Sequence, residues 1–176
     1  VLFALSGAVG PIIGQNYGAG QGDRVRQAFR EALLFCAIVC LVVSALLFAL
    51  RGAVADLFDA TGVTRDLVFL FCGPLSLAFF FNGAIFVGNA AFNNTGHPFW
   101  STWINWGRHT LGTIPFVAAF AWWLGAPGVL IGQAAGGAVF AAVAVALALR
   151  SMEAPRDPDA VEPFGRQARL MGLLHL

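Results

Sequence analysis

Three kinds of residue in this sequence could do chemistry inside apolar surroundings: amides, aromatic rings and one Arg–His pair. Leu75, Phe79, Asn82, Phe86, Asn89 and Asn93 recur every three or four residues, so a helix would set them on one face. A side-chain amide in hydrocarbon costs several kcal/mol unless it is paired, so that face must meet protein or a water-filled cavity. Two readings follow: hydrogen bonding between helices, or a cavity wall in which Phe79, Asn82, Phe86 and Asn89 meet a substrate. Aromatic faces attract organic cations by about 0.5–2 kcal/mol each, which points such a wall at amphipathic, cationic compounds. Further on, Arg108 stands five residues beyond Trp103, about 7.5 Å of helix rise, and can snorkel to nearby headgroups. His109 can either carry a proton beside that cavity or simply hydrogen-bond.

Other chemistries lack their residues. Cys36, Cys40 and Cys72 lie in apolar runs without a His or carboxylate beside them, so they read as small packing residues rather than as metal ligands. Asp56 and Asp59 read as a solvated loop face. No paired carboxylates and no His-x-x-x-His occur within an apolar run, which argues against a membrane-embedded enzyme, and no cofactor is implied. The net charge of +1, without a basic cluster, argues against nucleic acid as a partner. No Asp or Glu falls inside the apolar runs. An ion-coupled transporter needs an embedded carboxylate, so for coupling to H⁺ or Na⁺ that group is expected outside these residues.

The elements that must position these groups are membrane helices. Charged residues make up 11% of the 176, against about 25% in soluble proteins, and none falls in 32–50, 67–91 or 128–149. About 20 apolar residues cross the roughly 30 Å hydrocarbon core, so each run is long enough to span it. Two further segments, 1–15 and 100–123, bring the expected crossings to about five, within a partial lobe at 1–150. The 100–123 segment is marked at its ends by Trp100, Trp103 and Trp106 and by Trp122 and Trp123, as interfacial belts are. Gly10, Gly14, Gly18 and Gly22 repeat every four residues, as do Gly128, Gly132 and Gly136, a spacing that lets helices approach closely. Pro11 and Pro74 add sites where a helix can bend. Eight of the ten Arg fall on the 16–31 side, the 92–108 side or the tail, which places Leu176 in the cytoplasm. The 151–176 stretch, with Pro155, Pro158 and Pro163, reads as a cytoplasmic tail ending in a short interfacial helix. Val1, already inside an apolar run, suggests a fragment.

Three stretches resemble transporters of the MATE (multidrug and toxic compound extrusion) family. Pro11-Ile12-Ile13-Gly14-Gln15-Asn16-Tyr17-Gly18-Ala19, followed by Arg24-Val25-Arg26, is similar to the family's P-x-x-G-Q-N-x-G-A signature before a basic loop. Gly88 to Pro98 is similar to the turn between its tenth and eleventh helices. Asn105-Trp106-Gly107-Arg108, Pro115 and Gly125-Ala126-Pro127-Gly128-Val129 follow in the family's order. The resemblance implies an all-α integral membrane fold: a partial six-helix lobe, helices eight to twelve, of a twelve-helix, two-lobe antiporter. It further implies export of amphipathic or cationic organic compounds in exchange for H⁺ or Na⁺ across the cytoplasmic (inner) membrane, with an N-terminal lobe not present here as partner. Some members bind the coupling cation with an Asp in the tenth helix, where this sequence has only amides such as Asn82 and Asn89. A lipid-linked oligosaccharide flippase of the same wider superfamily is the alternative; it would need cationic side chains in its cavity, and only Arg108 is available.

Overall fold

In a computed structural model, residues 1–153 are described, and every regular element among them is helical. The all-α membrane class expected from the charge-free runs is the class observed. The expected cytoplasmic tail and its final helix lie outside the described residues, apart from 151–153, which end the last helix.

The first helix, α1 (Leu2–Gly18), carries Pro11 in its interior and ends where Gly20 turns the chain at φ +71°. A left-handed backbone costs glycine nothing, so the reversal into α2 (Gly22–Leu57) is tight. With 36 residues α2 is about 54 Å long, more than the bilayer core requires. Its first three turns, with Asp23, Arg24, Arg26 and Arg30, form a charged end.

Two of the expected segments are not regular helices throughout. The 67–91 run is divided into α3 (Gly62–Cys72), a five-residue 3-10 turn at Pro74–Ala78, and α4 (Phe79–Asn94). Proline lacks an N–H and excludes the α conformation from the residue before it, so α3 must stop at Gly73. Ser76 donates from both its backbone N–H and its Oγ to the Gly73 carbonyl, at 3.2 and 2.6 Å, and so closes the turn. The 100–123 run is divided into α5 (Pro98–Gly107), a π turn at Arg108–Gly112, and α6 (Ile114–Leu124). Gly125, at φ +64°, then starts α7 (Ala126–Glu153). Three helical runs are long and apolar enough to cross a membrane alone: α2, Pro74–Asn94 and α7. The 17 residues of α1 and the broken α5–α6 run fall short of that as single helices.

The centre of the lobe is α4, packed against α1, α2 and α7. Ile13, Val25, Phe29, Cys36, Ile85, Val87 and Phe92 are fully buried around it. Leu34, Ile38, Leu41, Val42 and Leu46 of α2 are exposed, the outward apolar face expected of a lipid-facing helix. Cys36 fills space beside Gly83, where an added Cβ would lie 3.1 Å from its Sγ, so this thiol acts as a packing group.

At the charged end α7 is tied back to the other helices. Arg26 of α2 pairs with Glu153 at 3.1 Å, and Thr95 donates to Ser151 at 3.3 Å. The ion pair is largely exposed, 39% and 60% by side chain, and such pairs contribute about 0–1 kcal/mol. Arg26→Ala is accordingly expected to lower the melting temperature by only a degree or two in detergent, and by less in high salt. A loss above 5 °C would mean that the pair holds more than a surface contact.

Candidate functional site

The site begins with how closely α7 approaches its neighbour. A Cβ on Gly136 would run into the Gly112 carbonyl, one on Gly132 would lie 2.6 Å from the Phe116 carbonyl, and one on Gly128 would overlap that of Phe120. The partners step 112, 116, 120 as the glycines step 136, 132, 128, so the two helices run antiparallel, one turn per contact. Only glycine permits such backbone contact. On the other side of the π turn, the Phe140 ring fits between Gly107 and Gly112, which have no side chains to displace it.

This packing sets the π turn opposite the 3-10 turn, with a cavity of about 130 Å³ between them and α7. Phe71, Leu75, Ala78 and Phe79 form one wall, and Leu130, Ala134 and Gly137 of α7 another. Five polar side chains also line it: Asn82, Arg108, His109, Thr113 and Gln133. The cavity is smaller than the roughly 300–1,000 Å³ that encloses a drug-sized ligand, so it suits one end of a molecule. Gln133 is seven residues into α7, about 10 Å of rise, so the cavity lies about two turns in from the start of that apolar helix. It therefore sits at two helix irregularities, the setting in which backbone and polar groups line a path through a bilayer.

Arg108 does not follow the snorkelling expectation. Its guanidinium lines the cavity, and Nη1 is buried without a hydrogen-bond partner. Arg108 still has α-helical dihedrals, φ −64° and ψ −34°, and five residues at about 100° each set it well around the helix from Trp103. Arg108 Nε donates to His109 Nε2 at 3.3 Å, so in this arrangement that ring nitrogen is an acceptor. The Thr113 hydroxyl donates to the Arg108 carbonyl at 2.9 Å and satisfies part of the loosened turn.

Of the residues expected to form one cavity wall, Phe79, Asn82 and His109 meet here, whereas Phe86 and Asn89 lie elsewhere. Asn89 is seven residues past Asn82, on the same face but about 10 Å along the axis. Phe86 and Asn89 line a second groove with Phe3, Gly10 and Pro11 of α1 and with Asn105 of α5. Phe3 and Phe86 meet edge to face at 6.0 Å. Ser101 donates to Asn93 Oδ1 at 3.0 Å, and Asn105 donates to the Ser101 carbonyl at 2.7 Å, while Asn89 Oδ1 is buried without a partner. Gly10 and Gly14 make room for the Asn94 amide, which an added Cβ would meet at 3.0 and 2.9 Å. Gly18 closes α1, and Pro74 opens the 3-10 turn. Sequence reasoning missed Gln133 and Thr113 as cavity residues, because they belong to segments other than the amide-bearing face.

Asp56 is paired with Arg65 at 2.8 Å. Among the described residues no group of three or more His, Cys, Asp or Glu could hold a metal.

Comparison with known proteins gives two findings. A family model described as MatE matches residues 1–118. The chain is also 34% identical, over 176 residues, to an uncharacterised 21 kDa protein in the iaaL 5′ region of Pseudomonas savastanoi. That match covers 95% of this chain and 54% of the relative, so the chain spans about half the length of the curated relative it matches. No solved structure matches it.

Proposed function

Because this chain belongs to the MatE family of transporters, we propose that it forms part of an antiporter exporting amphipathic organic compounds in exchange for H⁺ or Na⁺. Membership supports a multi-pass membrane transporter and a non-enzymatic role. The proposal adds the cytoplasmic membrane, the direction of transport and the coupling ion. The observation that carries it is the cavity between two broken helices, in which aromatic rings and amides face each other inside an apolar lobe. Irregular backbone within a membrane is stable only where protein or a water-filled path covers it.

A cytoplasmic C-terminal side is supported by the charged end of the lobe. The turn before α2, with Arg24, Arg26 and Arg30, lies at the same end as Glu153, to which Arg26 is bonded. The cavity is lined by no carboxylate, so the proposal assigns the coupling acid to a further lobe of the whole protein. The relative's greater length agrees with such a lobe. One observation favours the flippase as a second reading: a guanidinium in the cavity, able to hold a phosphate.

The test expresses the whole gene in an efflux-deficient strain and follows one cationic and one anionic dye while each ion gradient is collapsed in turn. Efflux that stops with one gradient supports antiport. The Phe79→Ala, Asn82→Ala pair is expected to slow it at least about fivefold, since an aromatic contact and a hydrogen-bonding amide, together worth about 1 kcal/mol or more, are removed. Full-rate efflux by that variant would exclude the cavity from the path.

A further inference from the structure

We propose that the cavity between the 3-10 turn and the π turn is an anion site, in which Arg108 holds the carboxylate or phosphate head of an amphipathic molecule. The inference rests on the transport reading and deepens it, naming the charge of the head that enters this lobe.

Three polar side chains at this cavity keep hydrogen-bonding groups that no described residue takes up. Arg108 Nη1 is buried and unbonded, and the amides of Asn82 and Gln133 hydrogen-bond to no described residue. The one partner of the Arg108 side chain is the His109 ring nitrogen, an acceptor that brings no negative charge. Among the described residues the ion pairs are Arg26–Glu153 and Arg65–Asp56, and neither touches the cavity. No lining residue from α3, the 3-10 turn, α4, the π turn or α7 is a carboxylate. Among the described residues this half-buried positive charge thus has no counterpart, a costly arrangement unless an anion completes it.

The chemistry of the ligand follows from the donors. Guanidinium presents parallel N–H groups that match both oxygens of a carboxylate or two of a phosphate. Asn82 and Gln133 each add an amide N–H₂ that can donate to the same head. Phe71 and Phe79 at the rim, 42% and 45% exposed, offer an apolar surface to the body attached to it. A cationic head would enjoy the same rings but meet the guanidinium at close range, where like charges repel strongly in low dielectric. The charge expected from the aromatic faces alone is therefore reversed by the group among them. A bare coupling cation is disfavoured here for the same reason.

The test uses the whole protein in phosphatidylcholine nanodiscs and three probes sharing one ring system: 1-naphthoate, 1-naphthamide and 1-naphthylmethylammonium. Calorimetric titration is expected to rank naphthoate at least about tenfold tighter than the other two, the scale of a hydrogen bond to a charged group. Arg108→Gln should erase that preference, while Arg108→Lys, which keeps the charge, should retain part of it. Equal binding of the ammonium probe, survival of the preference in Arg108→Gln, or identical loss in Lys and Gln would each overturn the proposal. Nanodiscs containing phosphatidylglycerol distinguish two sources of the head. Weakened naphthoate binding, with phosphatidylglycerol retained on the wild type and lost from Arg108→Gln in native mass spectrometry, identifies a lipid; unchanged binding identifies a free amphipathic acid. Binding that follows Arg108 in a protein without ion-coupled efflux would sink antiport and leave the anion site standing. Efflux without an anion preference would do the reverse.

Discussion

Gly136→Ala is expected to melt far below the wild type, or to fail to accumulate in the membrane at all. The single added carbon would occupy the position of the Gly112 carbonyl. Overpacking costs about 1–3 kcal/mol when a side chain can rotate away, and here the obstacle is backbone in a neighbouring helix. Relief would require α7 to separate from the π turn, which would also lose the Gly132 and Gly128 contacts in the same row. The three glycines act as one interface, so Gly132→Ala added to Gly136→Ala should cost less than the sum of the two. Gly52→Ala is the control: Gly52 lies inside α2 with nothing within 4 Å of its would-be Cβ. That variant should be neutral, or more stable by up to about 1 kcal/mol, because alanine favours the helix. Thermal melts of the whole protein in detergent compare them directly. A Gly136→Ala protein that melts with the wild type would mean that the α6–α7 approach is looser than described.

What the sequence revealed and what it concealed divide along a physical line. Charge-free runs such as 32–50 and 128–149 state their environment residue by residue, so the membrane class could be read directly. The Gly128, Gly132 and Gly136 spacing identifies a close helix contact, but not its partner, since the opposing atoms are carbonyls that any residue supplies. The breaks were harder. Hydropathy averages over 20 residues and runs straight through 67–91, so Pro74 reads as a site of bending but not as the boundary between two helices. The π turn at 108–112 has still less local signature. Its closest ring neighbour, Phe140, packs against Gly107 and Gly112 from 28 residues beyond Gly112. Arg108 reads as able to reach the headgroups from its distance to Trp103 alone, because the cavity beside it is built by residues of α3, α4 and α7 that lie far away in the sequence. The helical face of α4 was legible, but its division between two grooves was not, because neighbours from α1, α5 and α7 decide which length of it each groove receives.

Straightening the helix at 73–78 should disable transport while leaving the protein as stable as before, or more so. In Gly73→Ala, Pro74→Ala the new N–H at 74 can bond to the Leu70 carbonyl, and the chain from Gly62 to Asn94 can run as one helix. In the present backbone a Cβ at Gly73 would lie 2.7 Å from the Phe69 carbonyl, so the alanine itself drives the change. A 3-10 turn advances about 120° per residue and an α-helix about 100°, so converting five residues rotates α3 relative to α4 by about 100°. Phe71 would then leave the wall it shares with Phe79 and Asn82, and the cavity facing Arg108 would lose one side. Efflux by the whole protein should fall at least about tenfold, which corresponds to only about 1.4 kcal/mol of lost binding or gating. Melting temperature read on the same sample separates this from simple unfolding. A native protein keeps a broken helix where the break serves a purpose, since glycine and proline each weaken a helix that alanine would extend. Full efflux from the straightened variant would remove the cavity from the transport path, and would leave the Gly73-Pro74 break without a functional reason.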